Sequence, residues 1–220
     1  MSNIFTPKED VQFISPFGPT MGYFKMPQEM VDGLNNCIDD NLEDYSDYLV
    51  GKVTQELAFT DEAKNIATKG LSNFIGQYHS FSELRNSFGA RNVNTEKYDY
   101  GVQLVSAWFV RQYENEYNPL HIHTGSKLSC VGYLALPDGI EDEWEEDYKD
   151  HHPSHGHIQF AHGTSSGYNS TNFLVKPRVG DFYIFPSELF HCVYPFTTKG
   201  ERRSFSMNLN FLEIEKQKKT

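Results

Sequence analysis

Three histidines and an arginine are the residues in this sequence best placed to do chemistry. His121 and His123 stand one residue apart in "NPLHIHTGSKLSC", just ahead of a strand-like run. In extended chain, residues i and i+2 point to the same face, so both imidazoles can reach one metal ion. Nine histidines in 220 residues would give roughly 0.4 such pairs by chance, so the spacing alone is weak evidence. His191, in "FPSELFHCVYPF", is the third candidate, although a lone histidine among aromatic residues is more often a hydrogen-bonded core residue. What raises it is the downstream run "GERRSFSMNLNF". Arg202, Ser204, Ser206, Asn208 and Asn210 share one strand face there, and Arg203, Phe205, Met207, Leu209 and Phe211 share the other. The second is a core face. The first is polar but almost uncharged, which suits the lining of a cavity better than a solvent face. Arg202 is its fixed cation, and a guanidinium matches a planar carboxylate bidentately. Three imidazoles and an arginine at the end of a β core describe an iron site with an anionic co-substrate.

Strands and helices must hold these groups. "PQEMVDGLNNCIDDNLEDY" opens on Pro27 and spaces Met30, Leu34, Cys37/Ile38 and Leu42 as a helix does. "TDEAKNIATKGLSNFIGQYHS" predicts a stronger helix. Thr60 or Asp61 can cap it, and Ala63, Ile66, Ala67, Leu71, Phe74, Ile75 and Tyr78 form one apolar stripe. The first 26 residues, punctuated by Pro7, Pro16, Gly18, Pro19 and Gly22, read as extended or irregular chain. From about residue 98 the period shortens. Seven or more segments rich in β-branched and aromatic residues follow, separated by turn residues. Helices followed by many strands predict a mainly β, α+β protein: a helical layer backing an antiparallel sandwich or barrel.

One domain is expected over residues 1–220. Residues 1–97 would form an extended and helical support, 98–212 the β core, and 138–157 an acidic and histidine-rich insert. The formal charge of −11 argues against nucleic-acid or anionic-membrane partners. Much of it sits in "DGIEDEWEEDYKD", after which "HHPSHGHIQFAH" supplies His151, His152, His155, His157 and His162. That tract is a second metal-site candidate, but Pro153 and Gly156 favour a loop over the mouth of the site, with His157 starting a strand and facing inward. Three scattered cysteines, no apolar run near the start and no long apolar stretch predict a cytoplasmic protein without disulfides.

The blocks "HIH…KLSCVGYLALP", "PRVGDFYIFPSELFHCVYPF" and "GERRSFSMNLN", in that order, resemble the Fe(II)/2-oxoglutarate-dependent oxygenase superfamily. The resemblance covers roughly residues 98–212. It is nearest to the type found in tailed phages and marine bacteria, and more distant from prolyl hydroxylases. It implies a double-stranded β-helix (jelly roll) core. By that resemblance His121 is the first iron ligand, His191 the distal histidine, Arg202 the base holding the far carboxylate of 2-oxoglutarate, and Ser204 its hydroxyl companion. Arg202 lies eleven positions past His191, against about ten in the family pattern; Arg203 is the runner-up but falls on the core face. Lys127 and Tyr133 are further co-substrate contacts, and Trp108, Phe182 and Phe185 candidate walls; Trp108, Arg203 and His157 are candidates for contact with substrate or ligands. One position departs from the usual pattern, since His123 stands where the family generally has Asp or Glu. Phage-type sequences often read His-x-His here. The other reading puts His123 beside the metal, with a carboxylate or water in the third position.

The implied function is an Fe(II)- and 2-oxoglutarate-dependent dioxygenase. It would hydroxylate an unactivated C–H of a peptidyl (for example prolyl) or small-molecule substrate and release succinate and CO2. The implied cofactors are Fe(II) and the co-substrate 2-oxoglutarate; oligomeric state, including a homo-oligomer, is left open. Two alternatives stand beside it: a three-histidine, cupin-like dioxygenase needing no 2-oxoglutarate, and a non-catalytic phage or binding protein retaining the fold. The pair Arg202 and Ser204 favours the first reading.

Overall fold

The computed structural model describes residues 4–5, 9–14, 18–39, 42–86, 98–145, 154–167 and 170–215. In chain order its elements are β1 (Ile4–Phe5), β2 (Val11–Ile14), β3 (Met21–Lys25), α1 (Gln28–Asn36), β4 (Gln55–Ala58), α2 (Asp61–Asn86) and β5 (Tyr98–Gln112). Then come β6 (Asn118–His121), β7 (Leu128–Ala135), α3 (Ile140–Glu145), β8 (Ile158–Ala161), β9 (Asn172–Val175), β10 (Asp181–Pro186), β11 (Phe190–Val193) and β12 (Arg202–Glu215). Two sheets form from them: a seven-stranded sheet in the order β2-β3-β10-β7-β12-β5-β4, and a five-stranded sheet in the order β1-β9-β8-β11-β6. Their inner faces pack together through Val131, Tyr133, Tyr183 and Phe185 from one and Ile158, Phe160 and Val175 from the other. This is the antiparallel jelly roll expected, backed by helices. No helix among the described residues is long and apolar enough to cross a membrane.

The outer face of the seven-stranded sheet is covered by α1 and α2. Thr60 caps α2, its hydroxyl accepting the Ala63 N–H at 3.0 Å, and the predicted stripe from Ala63 to Tyr78 is buried apart from a half-buried Ile66. Two glycines permit the close approach. A Cβ on Gly22 would lie 2.7 Å from Ile184 and 2.9 Å from Tyr78, and one on Gly132 only 2.3 Å from the Phe205 ring. The helix at Pro27 ends at Asn36, short of the stretch to Leu42 that the apolar spacing suggested. Asn35, Asn36 and Asp39 follow one another closely there, and such side chains compete with the helical backbone for hydrogen bonds; Asn35 Nδ2 donates instead to Leu134 O at 3.1 Å.

The N-terminal region does more than support. β3 sits inside the seven-stranded sheet between β2 and β10, and β4 forms its far edge on β5. Tyr23 and Tyr183 donate to the fully buried Asp181, which also meets Lys25 and Arg178 at 3.3 and 3.2 Å. That carboxylate fastens β3 to β10.

Candidate metal centre and anion subsite

Register brings the histidines together. β6 and β11 pair antiparallel with His121 opposite His191, and His123 follows His121 by the two residues that keep it on the same side. The three ring nitrogens that face one another lie within 4.8 Å, and no Asp or Glu among the described residues joins the cluster. Ring centroids are 4.2 Å apart for His121 and His191 and 5.1 Å for each pair with His123.

Two of the rings are oriented by their own backbone. His121 Nδ1 lies 2.7 Å from Pro119 O, and His191 Nδ1 lies 2.8 Å from Leu189 O. A carbonyl only accepts, so Nδ1 carries the proton in both rings and Nε2 keeps its lone pair. Burial pushes His191 down to about 3 and His123 to about 4, with the neighbouring imidazoles adding to the effect; burial lowers His121 as well. All three are therefore neutral near pH 7, the form that binds a metal. His123 is anchored instead by its main chain, its N–H donating to Ser187 O at 2.9 Å. The turn bearing Ser187 is braced in its turn: Ser126 and Ser129 hydroxyls lie 2.8 and 3.0 Å from Ser187 Oγ, and Ser129 donates to Asn208 Oδ1 at 2.7 Å. Three convergent neutral imidazoles fit a divalent transition metal.

The histidines open onto a cavity of about 260 Å³ between the sheets. Arg202, Ser204, Ser206 and Asn208 line it from β12, whereas Phe205, Met207 and Leu209 are packed under the helices, as alternation predicted. Arg202 is 2% exposed. Its Nη1 donates to Gly156 O at 2.6 Å and Nη2 to Gln112 Oε1, while Nε has no partner. The Phe196 and Tyr133 rings flank the guanidinium at 5.7 and 6.0 Å, and burial lowers its pKa. No carboxylate pairs with it among the described residues. Tyr133 pairs with Ser204 across β7 and β12; its hydroxyl is buried without a partner, and burial pushes its pKa up to about 12. A guanidinium and an unpartnered phenol, both with spare donors on one cavity, call for an anion.

The other candidates scatter. Trp108 and Phe185 line the cavity, but Phe182 faces the helices. Lys127 is exposed and contributes through its backbone, its N–H donating to Leu209 O and Asn210 Oδ1. Arg203 is held at 2.6 Å by Glu201, which also binds Arg111, and points away from the cavity. His157 is buried with Nδ1 on His155 O and Nε2 without a partner, beside Trp144 rather than in the cavity lining. His155 pairs with Glu143 of α3 at 2.9 Å, tying the histidine-rich end of the insert to its acidic start, and His151 and His152 lie outside the described residues.

Gln112, Ser129, Ser187 and Glu56 were not singled out from sequence. Gln112 continues the β5 face that carries Trp108 and Val110 and meets Arg202 across the strand pair, so the alternation held the signal. Ser187 offered none, since it acts through a turn.

Residues 106–208 match a family model described as "Putative 2OG-Fe(II) oxygenase". Among curated proteins none matches. Two solved structures share the fold. One is a prolyl hydroxylase from Trichoplax adhaerens, in complex with a hypoxia inducible factor peptide fragment: 13% identity, 92% of this chain, 84% of that one, TM-score 0.51. The other is AviO1 from Streptomyces viridochromogenes Tue57: 9% identity, 86% and 89% covered, TM-score 0.52.

Proposed function

We propose, from the match of residues 106–208 to the 2OG-Fe(II) oxygenase family model and the geometry of the site, that the chain is an oxygenase of this family and that His121, His123 and His191 hold Fe(II). Arg202, with Ser204 and Tyr133, then grips the far carboxylate of 2-oxoglutarate. The reaction is oxidation of a C–H bond in a peptidyl or small-molecule substrate. Bound iron and 2-oxoglutarate together supply the oxidant from dioxygen, with succinate and CO2 as co-products.

The observation that carries this reading is Arg202. A buried guanidinium with a spare Nε–H and no carboxylate partner among the described residues faces the same cavity as three neutral imidazoles. Leaving such a donor unpaired is costly, so the site is built for an anion that arrives with the co-substrate. The chain's own part is positional. Pro119 and Leu189 carbonyls fix which ring nitrogen is offered, and Gln112 holds the guanidinium. Gln112 itself donates from Nε2 to Glu116 O, so the guanidinium cannot swing without breaking two bonds. Trp108 and Phe185 keep water from the reacting face.

No carboxylate among the described residues joins the histidine cluster, which favours one rival, a three-histidine dioxygenase that needs no 2-oxoglutarate. Anaerobic addition of 2-oxoglutarate to the Fe(II)-loaded protein separates the two. We expect a weak visible charge-transfer band, lost in His121→Ala and His191→Ala, and succinate on admitting oxygen. No band and no succinate would sink the proposal. A band that survives His123→Ala would remove His123 from the ligand set.

A further inference from the structure

Beside Arg202 and Tyr133, Glu56 is a further unpartnered group on the same cavity, and of opposite sign to the guanidinium. It sits on the edge strand β4 opposite Val110. Cross-strand partners share a face, so its side chain turns into the cavity, while Leu57 turns into the helical core. The residue is 4% exposed, yet its carboxylate has no hydrogen-bond or ion-pair partner among the described residues. The charged groups that act on it, Asp44 and Glu116, are acids, and both have partners of their own. Asp44 accepts the Ser46 N–H, and Glu116 is bound by the Thr54 hydroxyl and the Tyr113 N–H. The three carboxylates do not converge as a metal-ligand cluster. Burial and these like charges push Glu56 up to about 7.

Its surroundings are aromatic. Trp108 lines the cavity beside it, stacked on Tyr45 at 5.7 Å with the planes 25° apart, and the Trp108 ring lies 5.9 Å from His123. An unpaired carboxylate that shares a cavity with an indole is an arrangement that takes an organic cation. The carboxylate supplies charge-assisted hydrogen bonds, and the ring supplies apolar contact and cation–π attraction. A neutral donor would leave the local excess of negative charge in place.

We propose that Glu56 is a specificity-determining residue. It anchors a protonated nitrogen of the substrate, ammonium or guanidinium, whose apolar stem lies along Trp108 toward the three histidines. This rests on the oxygenase reading for where the reaction occurs, but the recognition itself does not. The cavity would then be polarised, with the co-substrate's carboxylate at Arg202 and the substrate's cation at Glu56.

The test uses two small probes of one shape that differ in charge, n-butylguanidinium and n-butylurea. They are titrated against the zinc-loaded protein by ligand-observed NMR in the presence of 2-oxoglutarate. Near pH 8, where Glu56 is largely ionised, we expect the guanidinium to bind about tenfold tighter than the urea, and Glu56→Gln to narrow that ratio to about twofold or less. Glu56→Gln is isosteric, and its thermal unfolding reports directly that it folds. Equal binding of the two probes, no detectable binding of either, or a preference that survives Glu56→Gln each overturns the assignment. Absent 2-oxoglutarate binding with the charge preference intact would defeat the oxygenase reading alone, and the converse result would defeat the Glu56 assignment alone.

Discussion

One residue along each strand separates the helix-facing side of β5, β7, β10 and β12 from their cavity-facing side, yet the two sides follow opposite rules. Toward the helices, Phe109, Phe205 and Phe182 interlock, with Phe59 against Phe109 at 4.3 Å and Phe182 stacked on Phe205 at 5.9 Å. Gly132 has no side chain because the Phe205 ring takes that space. The strands present apolar side chains there. Toward the cavity, the same strands carry Arg202, Tyr133, Ser204 and Trp108, and edge strand β4 adds Glu56; among the described residues Arg202 Nε and the Tyr133 hydroxyl have no partner, and the charges that act on Glu56 are acids. The helix side is where the fold gains stability, and on the proposed reading the cavity side is where stability is given up for binding.

The helix side is the place to look for the largest loss. Phe205→Ala leaves a hole between α2 and the sheet and should cost about 3–5 kcal/mol in urea unfolding. Gly132→Ala should cost less, about 1–3 kcal/mol, by forcing the Phe205 ring aside. In both variants the fraction still folded should bind 2-oxoglutarate normally. If affinity falls along with stability, the two sides are not separable and the comparison fails.

The cavity side should behave in reverse. Arg202→Met removes a buried charge together with its bonds to Gly156 and Gln112. Unfolding free energy should change by no more than about 1 kcal/mol, because desolvating the guanidinium already offsets what it gains. Affinity for 2-oxoglutarate should fall by about 2–3 kcal/mol, roughly a hundredfold, measured by titration of the metal-loaded protein. A strongly destabilised Arg202→Met with unaltered affinity would make Arg202 a structural residue.

The same contrast explains what could be read from the chain. The alternation in 202–211 separated the two sides in the sequence itself, because one residue step exchanges faces and the polar set carried no charge beyond Arg202. The α2 stripe was visible because it is local and strictly periodic. β3 was hidden by Gly22 and the prolines around it; their meaning depends on Tyr78 and Ile184, residues 56 and 162 positions away, pressing on the glycine. Glu56 was missed for a related reason. An acid in "QELAF" reads as a solvent-facing strand residue until the register with Val110 and the cover of Tyr45 over Trp108 are known. The histidine pair was legible in position, but its ring orientations depend on carbonyls at Pro119 and Leu189 that only the turns can aim.

Glu56 tests the comparison at its finest, since it predicts a gain. Its carboxyl is pushed from the ordinary 4.5 up to about 7, mainly by burial and then by Asp44 and Glu116. The folded chain therefore keeps a proton that the unfolded chain has already released. The stability linked to that proton is complete below about pH 4.5 and is lost as pH rises through about 7. Glu56→Gln carries no such proton, so variant and wild type should unfold alike near pH 4.5, with the variant ahead by on the order of 1–2 kcal/mol near pH 8. Acid and alkaline melts of both proteins measure it. A cation seated on Glu56 should erase the difference, because pairing favours the charged form that burial opposes. n-Butylguanidinium should thus raise the wild-type melting temperature near pH 8, leave Glu56→Gln unmoved, and lose its effect on the wild type near pH 4.5. If Glu56→Gln is instead less stable at alkaline pH, the carboxylate is satisfied within the fold, and this part of the cavity side obeys the rule of the helix side.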